Sequence, residues 1–173
     1  MGRLVVCPLS KVGLTMARSG AGFVVSLLAP GARAPRFASL APGRHLVLGV
    51  SDIVAAQEGH VLAGADHVEA LLAFVRAWDE SPERDRPLLI HCYAGVSRSP
   101  AAAFIAACAL TSAPEAEIAA RLRRLSPSAT PNSHLIALAD ARLSRDGRMV
   151  AAIESIGRGA DCFEGEIFFM DMA

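Results

Sequence analysis

The run from Leu88 to Leu110 constrains the fold of this chain more than any other segment. Leu88, Leu89 and Ile90 are consecutive apolar residues, and His91-Cys92 stands directly behind them. A short polar stretch with one glycine follows, then Pro100 and the alanine-rich block Ala101–Leu110. The first piece reads as a central strand of a parallel sheet, where near-continuous apolar runs are buried on both faces. The second reads as a buried core helix. Proline suits its first turn, because the missing N–H has no partner there anyway.

The rest of the chain repeats the alternation. Leu4–Leu9, Gly22–Leu28 and His45–Val50 read as strands. Residues 30–44, with Pro30, Gly31, Pro35, Pro42 and Gly43, read as a loop. Asp66 opens a helix whose apolar face is Val68, Leu71, Leu72, Val75 and Trp78. Asp66 and Glu69 have the spacing of an N-terminal cap followed by a first-turn acid. A charged, proline-flanked connection spans Ser81–Pro87. Pro114 opens a further helix with Ala116, Ile118, Ala119, Leu122 and Leu125 inward, and a turn follows at Ser126–Asn132. Helices are predicted from Ser133 to about Leu143 and near Gly147–Ile156, before a last apolar run, Ile167–Met170. The expectation is a single α/β domain with a central, mostly parallel sheet flanked by helices. It covers 1–173, with a core of about 20–144 and residues 145–173 as an extension packed on it.

Composition excludes several classes. Basic and acidic residues number 17 each, so there is no global electrostatic case for nucleic acid or an anionic membrane as partner. Ala101–Leu110 is about half of the roughly 20 residues a membrane span needs. The apolar stretch at the N-terminus is too short for a secretory leader. The four cysteines, Cys7, Cys92, Cys108 and Cys162, form no CxxC pair and no zinc-type spacing. Reduced thiols in a cytoplasmic compartment and no metal are expected, with Cys7, Cys108 and Cys162 as packing residues. Lys11 is the only lysine, a skew that points weakly to a GC-rich bacterial genome.

Chemistry concentrates in His91-Cys92-Tyr93-Ala94-Gly95-Val96-Ser97-Arg98-Ser99. A tight strand-to-helix turn can aim several backbone N–H groups into one concavity, and Gly95 eases the turn. The following helix adds its positive N-terminal end. Arg98 can give two parallel hydrogen bonds to two phosphate oxygens. Cys92 at the floor of such a nest is favoured as thiolate, the form that attacks phosphorus in line. Tyr93, Ala94, Gly95, Val96, Ser97 and Arg98 are therefore the expected phosphate-binding loop.

This segment resembles the signature of the cysteine-dependent protein tyrosine phosphatases: His91-Cys92, five intervening residues, then Arg98-Ser99. The Cys-x-x-Gly-x-Ser-Arg-Ser form is most like the small dual-specificity branch. The chain also looks like a bacterial family of tyrosine phosphatases, whose later segments resemble Ser126–Asn132, Arg145–Met149 and Ile156–Gly159. The resemblance implies a dual-specificity-phosphatase-like fold and a phosphocysteine intermediate without cofactor. It implies a phosphorylated protein or small phosphomonoester as substrate, and a site that takes phosphate or sulfate. It implies that Ser99 assists the sulfur in leaving, that His91 sits behind the loop and that Asn132 braces it; His91 reads equally as a plain core histidine and Asn132 as the N-terminal cap of the next helix. It also implies an aspartate as general acid on a neighbouring loop. Among Asp52, Asp66, Asp79 and Asp85, Asp52 is preferred because it follows a strand at the carboxyl edge of the sheet, with Asp66 next. Alternatives are a dual-specificity or phosphoinositide phosphatase, a phosphate-binding pseudophosphatase, and sulfur or arsenate redox chemistry. The absence of basic side chains at Tyr93, Ala94 and Val96 disfavours the lipid. Arg121, Arg123 and Arg124 read as a solvated helix face rather than a basic rim.

Overall fold

A computed structural model of the chain describes residues 2–172. Its sheet is built from β1 (Arg3–Pro8), β2 (Phe23–Leu28), β3 (His45–Gly49), β4 (Leu88–Cys92) and β5 (Phe168–Asp171), in the spatial order β3-β2-β4-β1-β5. The first four are mutually parallel, and β5 pairs antiparallel with β1 at the edge. The helices are α1 (Val12–Ser19), α2 (Ala65–Asp79), α3 (Arg98–Leu110), α4 (Glu115–Leu125), α5 (Ser133–Arg142) and α6 (Arg148–Ile156). The result is a single α/β domain with a central, mostly parallel sheet flanked by helices. No helix among the described residues is long and apolar enough to cross a membrane.

The two-residue period of the strands divides the core. Leu4, Val6, Val25, Leu27, Leu88, Ile90 and Cys92 face the layer of α2 to α6. Val5, Cys7, Val24 and Leu89 face α1 through Val12 and Ala21. Helix α3 packs against β1, β4, α2, α4 and α5, so its residues from Arg98 to Cys108 are all buried. That accounts for an alanine-rich, unpatterned sequence: small side chains let sheet and helices approach on every side. Because β1 to β4 are parallel, Pro8, Leu28, Gly49 and Cys92 all end at one edge. The turns after β3 and β4 emerge there together.

Several expectations need correction. Helix α1 was not foreseen; Gly13 and Thr15 give it a weak propensity, and packing of Val12 and Thr15 on the sheet supplies the difference. Gly20 ends it with φ at 64°, where a glycine is at ease. Helix α2 starts at Ala65 with Gly64 as its cap residue, and the His67 ring accepts the Gly64 amide at 3.0 Å. Asp66 is therefore an exposed first-turn residue and not the cap. On α4, Ala116 and Leu125 are exposed. Glu115 takes the inward position instead, paired with Arg145 at 3.0 Å and Arg148 at 3.3 Å. Arg123 is not a solvated residue. It donates to the carbonyls of Pro127, Ala129, Ile156 and Gly157, tying the turn after α4 to the end of α6. Cys162 is exposed rather than packed.

Phe104 is fully buried at the centre of α3. Truncation to alanine leaves a cavity between sheet and helices that rigid neighbours cannot close. Phe104→Ala is expected to cost about 3–5 kcal/mol in denaturant unfolding, with an unchanged m-value.

Candidate active site

The turn after β4 folds back on itself between Cys92 and Arg98, and its carbonyls are pinned outward. Tyr93 O accepts from Leu9 N at 3.0 Å, Ala94 O from Gly165 N at 2.8 Å, and Val96 O from Thr130 N at 2.8 Å. Ser97 O accepts from Ala101 N at 3.1 Å and Asn132 N at 3.3 Å. Across a planar trans peptide, the carbonyl and the following N–H point in opposite directions. Each outward carbonyl thus turns the next amide inward. The Gly95 amide follows this rule and donates to Cys92 Sγ at 3.2 Å. Gly95 has φ at 71°, and a Cβ there would lie 2.8 Å from the Pro8 nitrogen, so both conformation and space require glycine.

Cys92 is 1% exposed, and its sulfur also lies 3.1 Å from Ser99 Oγ in the first turn of α3. The floor of the loop therefore offers the sulfur two hydrogen-bond partners and the positive end of a helix. Arg98 is buried, and one Nη donates to the Val50 carbonyl at 2.9 Å. Its Nε is buried without a hydrogen-bond partner among the described residues. Buried orphan donors are rare, and a guanidinium held by one nitrogen with others unspent is suited to an oxyanion acceptor.

Asp52 stands at the rim, three residues beyond the end of β3. Its Oδ1 accepts from Ser97 Oγ at 2.7 Å and from Asn132 Nδ2 at 3.0 Å. Oδ2 has no partner among the described residues, so one carboxyl oxygen is tethered and the other is not. The same Asn132 amide donates to Ile53 O at 3.1 Å, and Asn132 Oδ1 caps α5 through Leu135 N at 3.0 Å. Asn132 was expected to brace the phosphate loop. Its backbone does so through Ser97 O, but its side chain holds the Asp52 turn. That turn is closed by Ser51 N on Val61 O at 2.8 Å and Val61 N on Ser51 Oγ at 3.1 Å. Asp52, Ile53, Val54, Ser97, Pro131 and Asn132 line an open cleft of about 440 Å³ beside the loop. The other candidates stay apart. Asp66 lies beside His67 on α2, Asp79 pairs with Arg84, and Asp85 is an exposed loop residue.

His91 sits behind the loop on the face opposite Cys92. Its Nε2 is 2.6 Å from Ser26 Oγ, which is also 2.8 Å from His45 Nε2. A hydroxyl has one proton, so it donates to one ring and accepts from the other. Burial pushes His91 down to about 4 and lowers His45 as well. Burial pushes the other buried thiols up, Cys7 to about 11 and Cys108 to about 12, which leaves both as inert packing groups. Four contacts were illegible in the sequence: Val50 O on Arg98, Ser97 on Asp52, Ser26 with its two histidines, and Gly165 on Ala94. All four run through backbone atoms or common serines, which carry no residue signal. Only Gly165 left a trace, as a glycine in an otherwise unpatterned tail.

No protein-family model matches the chain, and no curated protein sequence is similar to it. Solved structures do resemble it. DUSP15 aligns with a TM-score of 0.62 at 14% identity, covering 87% of this chain and 89% of its own. Human DUSP28 aligns at 0.61 and 19% identity, covering 81% and 87%. The Cydia pomonella PTP-2 phosphatase aligns at 0.58 and 22% identity, covering 79% and 83%. At these identities the likeness establishes the architecture: this is a dual-specificity-phosphatase-like α/β fold.

The His91 environment makes stability depend on pH. The unfolded chain takes up the imidazole proton as pH falls through 6.5, and the folded chain only near 4. Between those values the unfolded state binds more protons, so stability is full above 6.5 and declines toward 4, by up to about 3 kcal/mol. Denaturant midpoints at pH 7, 6, 5 and 4 are expected to fall in that order. In His91→Gln the fall should be visibly shallower, with His45 supplying part of what remains.

Proposed function

We propose that the protein is a cysteine-dependent phosphomonoester hydrolase, most readily a protein tyrosine phosphatase, in which residues 1–173 act as one catalytic unit. The observation that carries this reading is the cup between residues 92 and 98. Its carbonyls are tied outward, its sulfur is hydrogen-bonded by Gly95 and Ser99, and a buried arginine has an unspent donor. The resemblance in fold to DUSP15, DUSP28 and the PTP-2 phosphatase adds to it.

In the proposed reaction the inward amides and Arg98 hold the phosphoryl oxygens, and their fixed dipoles stabilise the charge that builds up equatorially. Cys92 thiolate attacks phosphorus in line, an S–P bond forms, and the ester P–O bond breaks. The departing oxygen takes the proton carried on Asp52 Oδ2. Asp52, now a carboxylate, removes a proton from water as that water attacks the phosphocysteine. The S–P bond breaks, inorganic phosphate leaves, and Ser99 Oγ hydrogen-bonds the returning thiolate. No step calls on a metal or cofactor. A free, reduced sulfur is essential, and the four free cysteines fit a cytoplasmic setting.

A phosphoinositide substrate is less well supported, because Tyr93, Ala94 and Val96 offer no cation to flanking headgroup phosphates. A pseudophosphatase is less well supported because nucleophile, arginine and hydroxyl are all present. Dual specificity for phosphoserine and phosphothreonine is the nearest alternative, decided by how deep a side chain must reach to place phosphorus over Cys92.

The test is hydrolysis of an aryl phosphate with chelator present. Cys92→Ser is expected to lower kcat by at least about 10³-fold while phosphate binding persists. Full activity in that variant rejects the mechanism. Asp52→Asn is expected to lower kcat by about 10²–10⁴-fold for phenyl phosphate, and much less for an ester with an acidic leaving group. An equal loss for both leaving groups removes Asp52 from the role of acid.

A further inference from the structure

The outer side of the phosphate loop is covered by the chain segment 157–167, which runs from the end of α6 toward β5. It lies flat because of two glycines. Gly159 N donates to Thr130 Oγ1 at 3.1 Å, and a Cβ on Gly159 would come within 2.5 Å of the Ser128 backbone. Gly165 N donates to Ala94 O, and a Cβ on Gly165 would come within 2.7 Å of Gly95 O. The strap is fixed to Ser10 and Lys11 as well, through Glu164 on Ser10 Oγ at 2.6 Å and Glu166 on Lys11 Nζ at 3.0 Å.

Between these anchors stands Phe163, which is 95% exposed. Tyr93, the residue directly after the nucleophile, is 69% exposed. The two aromatics line one pocket with Leu9, Ser10, Ala94 and Glu164, of about 240 Å³. That is below the roughly 300–1,000 Å³ of sites for drug-sized ligands and suits a single side chain. The pocket shares Tyr93 and Ala94 with the phosphate loop itself. The pocket thus lies beside the loop that would hold the phosphorylated residue, and consecutive residues of a peptide stand only about 3.8 Å apart from Cα to Cα.

From these observations we infer that the strap forms a specificity subsite: Phe163 and Tyr93 receive an apolar side chain adjacent to the phosphorylated residue of a protein substrate. The inference rests on the phosphatase reading and names its substrate class, a phosphopeptide with an apolar neighbour. An anionic lipid surface fits less well. The nearby cations Arg158 and Lys11 are paired with Asp161 at 2.6 Å and Glu166 at 3.0 Å, so neither is free to draw it. Glu164, which lines the pocket, disfavours an acidic neighbour in the peptide.

The experiment uses phosphotyrosyl peptides that differ only in the residue before or after the phosphotyrosine, leucine against aspartate. Affinity is measured by titration on Cys92→Ser protein, and kcat/KM on the wild type relative to p-nitrophenyl phosphate. The leucine peptide is expected to bind about tenfold more tightly, the low end of what a hydrophobic pocket discriminates. Adding Phe163→Ser should reduce the preference to less than twofold, and Phe163→Leu should keep most of it. Because Phe163 is solvent-exposed, neither change disturbs the core. Equal or undetectable binding of the two peptides overturns the subsite, and so does a preference that survives Phe163→Ser. Hydrolysis of phosphoinositide vesicles that falls in Phe163→Ser, with peptides unaffected, assigns the strap to lipid and overturns the peptide occupant. Selective binding without any turnover of aryl phosphate by the wild type supports the subsite and rejects the enzymatic reading alone.

Discussion

The hydrogen bond from Arg98 to the Val50 carbonyl joins two turns that leave the sheet on different strands. Strand β2 lies between β3 and β4, so the turn carrying Asp52 and the turn carrying Cys92 have no direct ladder between them. A guanidinium is long, planar and permanently charged, and it can spend one donor on a carbonyl while keeping others. Ser97 and Asn132 complete the junction by holding Asp52 Oδ1. In the proposed reaction, Cys92, Arg98 and Asp52 are thereby set against one another before any substrate arrives. Such preorganisation is where electrostatic catalysis draws most of its effect.

The loop itself is shaped from outside. Its carbonyls are engaged by four separate parts of the chain: Leu9 after β1, Thr130 and Asn132 before α5, Ala101 in α3, and Gly165 in the strap. Peptide planarity converts those outward bonds into inward amides, so the anion cradle is a consequence of where the carbonyls go. This explains why the extension beyond α5 belongs to the domain. It contributes the antiparallel edge strand β5, and it closes the outer side of the cup through Gly159 and Gly165.

How much of this was legible in the sequence varies by the kind of interaction. Strands β1 to β4 and helix α3 could be read as short apolar runs, because burial on all sides leaves β4 and α3 no polar face, and α2 because burial of one face imposes a 3.6-residue period. The position of Asp52 beside the Cys92–Arg98 turn could be read because it follows the end of a parallel strand. Helix α1 could not, since a glycine and a threonine in its first turns leave tertiary packing to decide. The Asp66 cap was misread because capping depends on local φ and ψ: Gly64 is the extended residue that precedes the helix, and its amide is taken by the His67 ring. Arg123 was misread because a half-buried arginine donating to carbonyls has the same sequence signature as a solvated one.

Local pattern and fixed spacing within one strand–turn–helix were enough to give the architecture and to bring Cys92 and Arg98 into one turn. Only the tertiary structure decided what surrounds them: Val50 O as the arginine's anchor, Ser97 and Asn132 as the tether of Asp52, Ser26 between two histidines, and Phe163 beside Tyr93. Those partners lie tens of residues apart and meet through one backbone carbonyl and through side chains as common as serine and asparagine. A carbonyl looks the same at every residue, so its place in space is fixed only when the whole chain has packed.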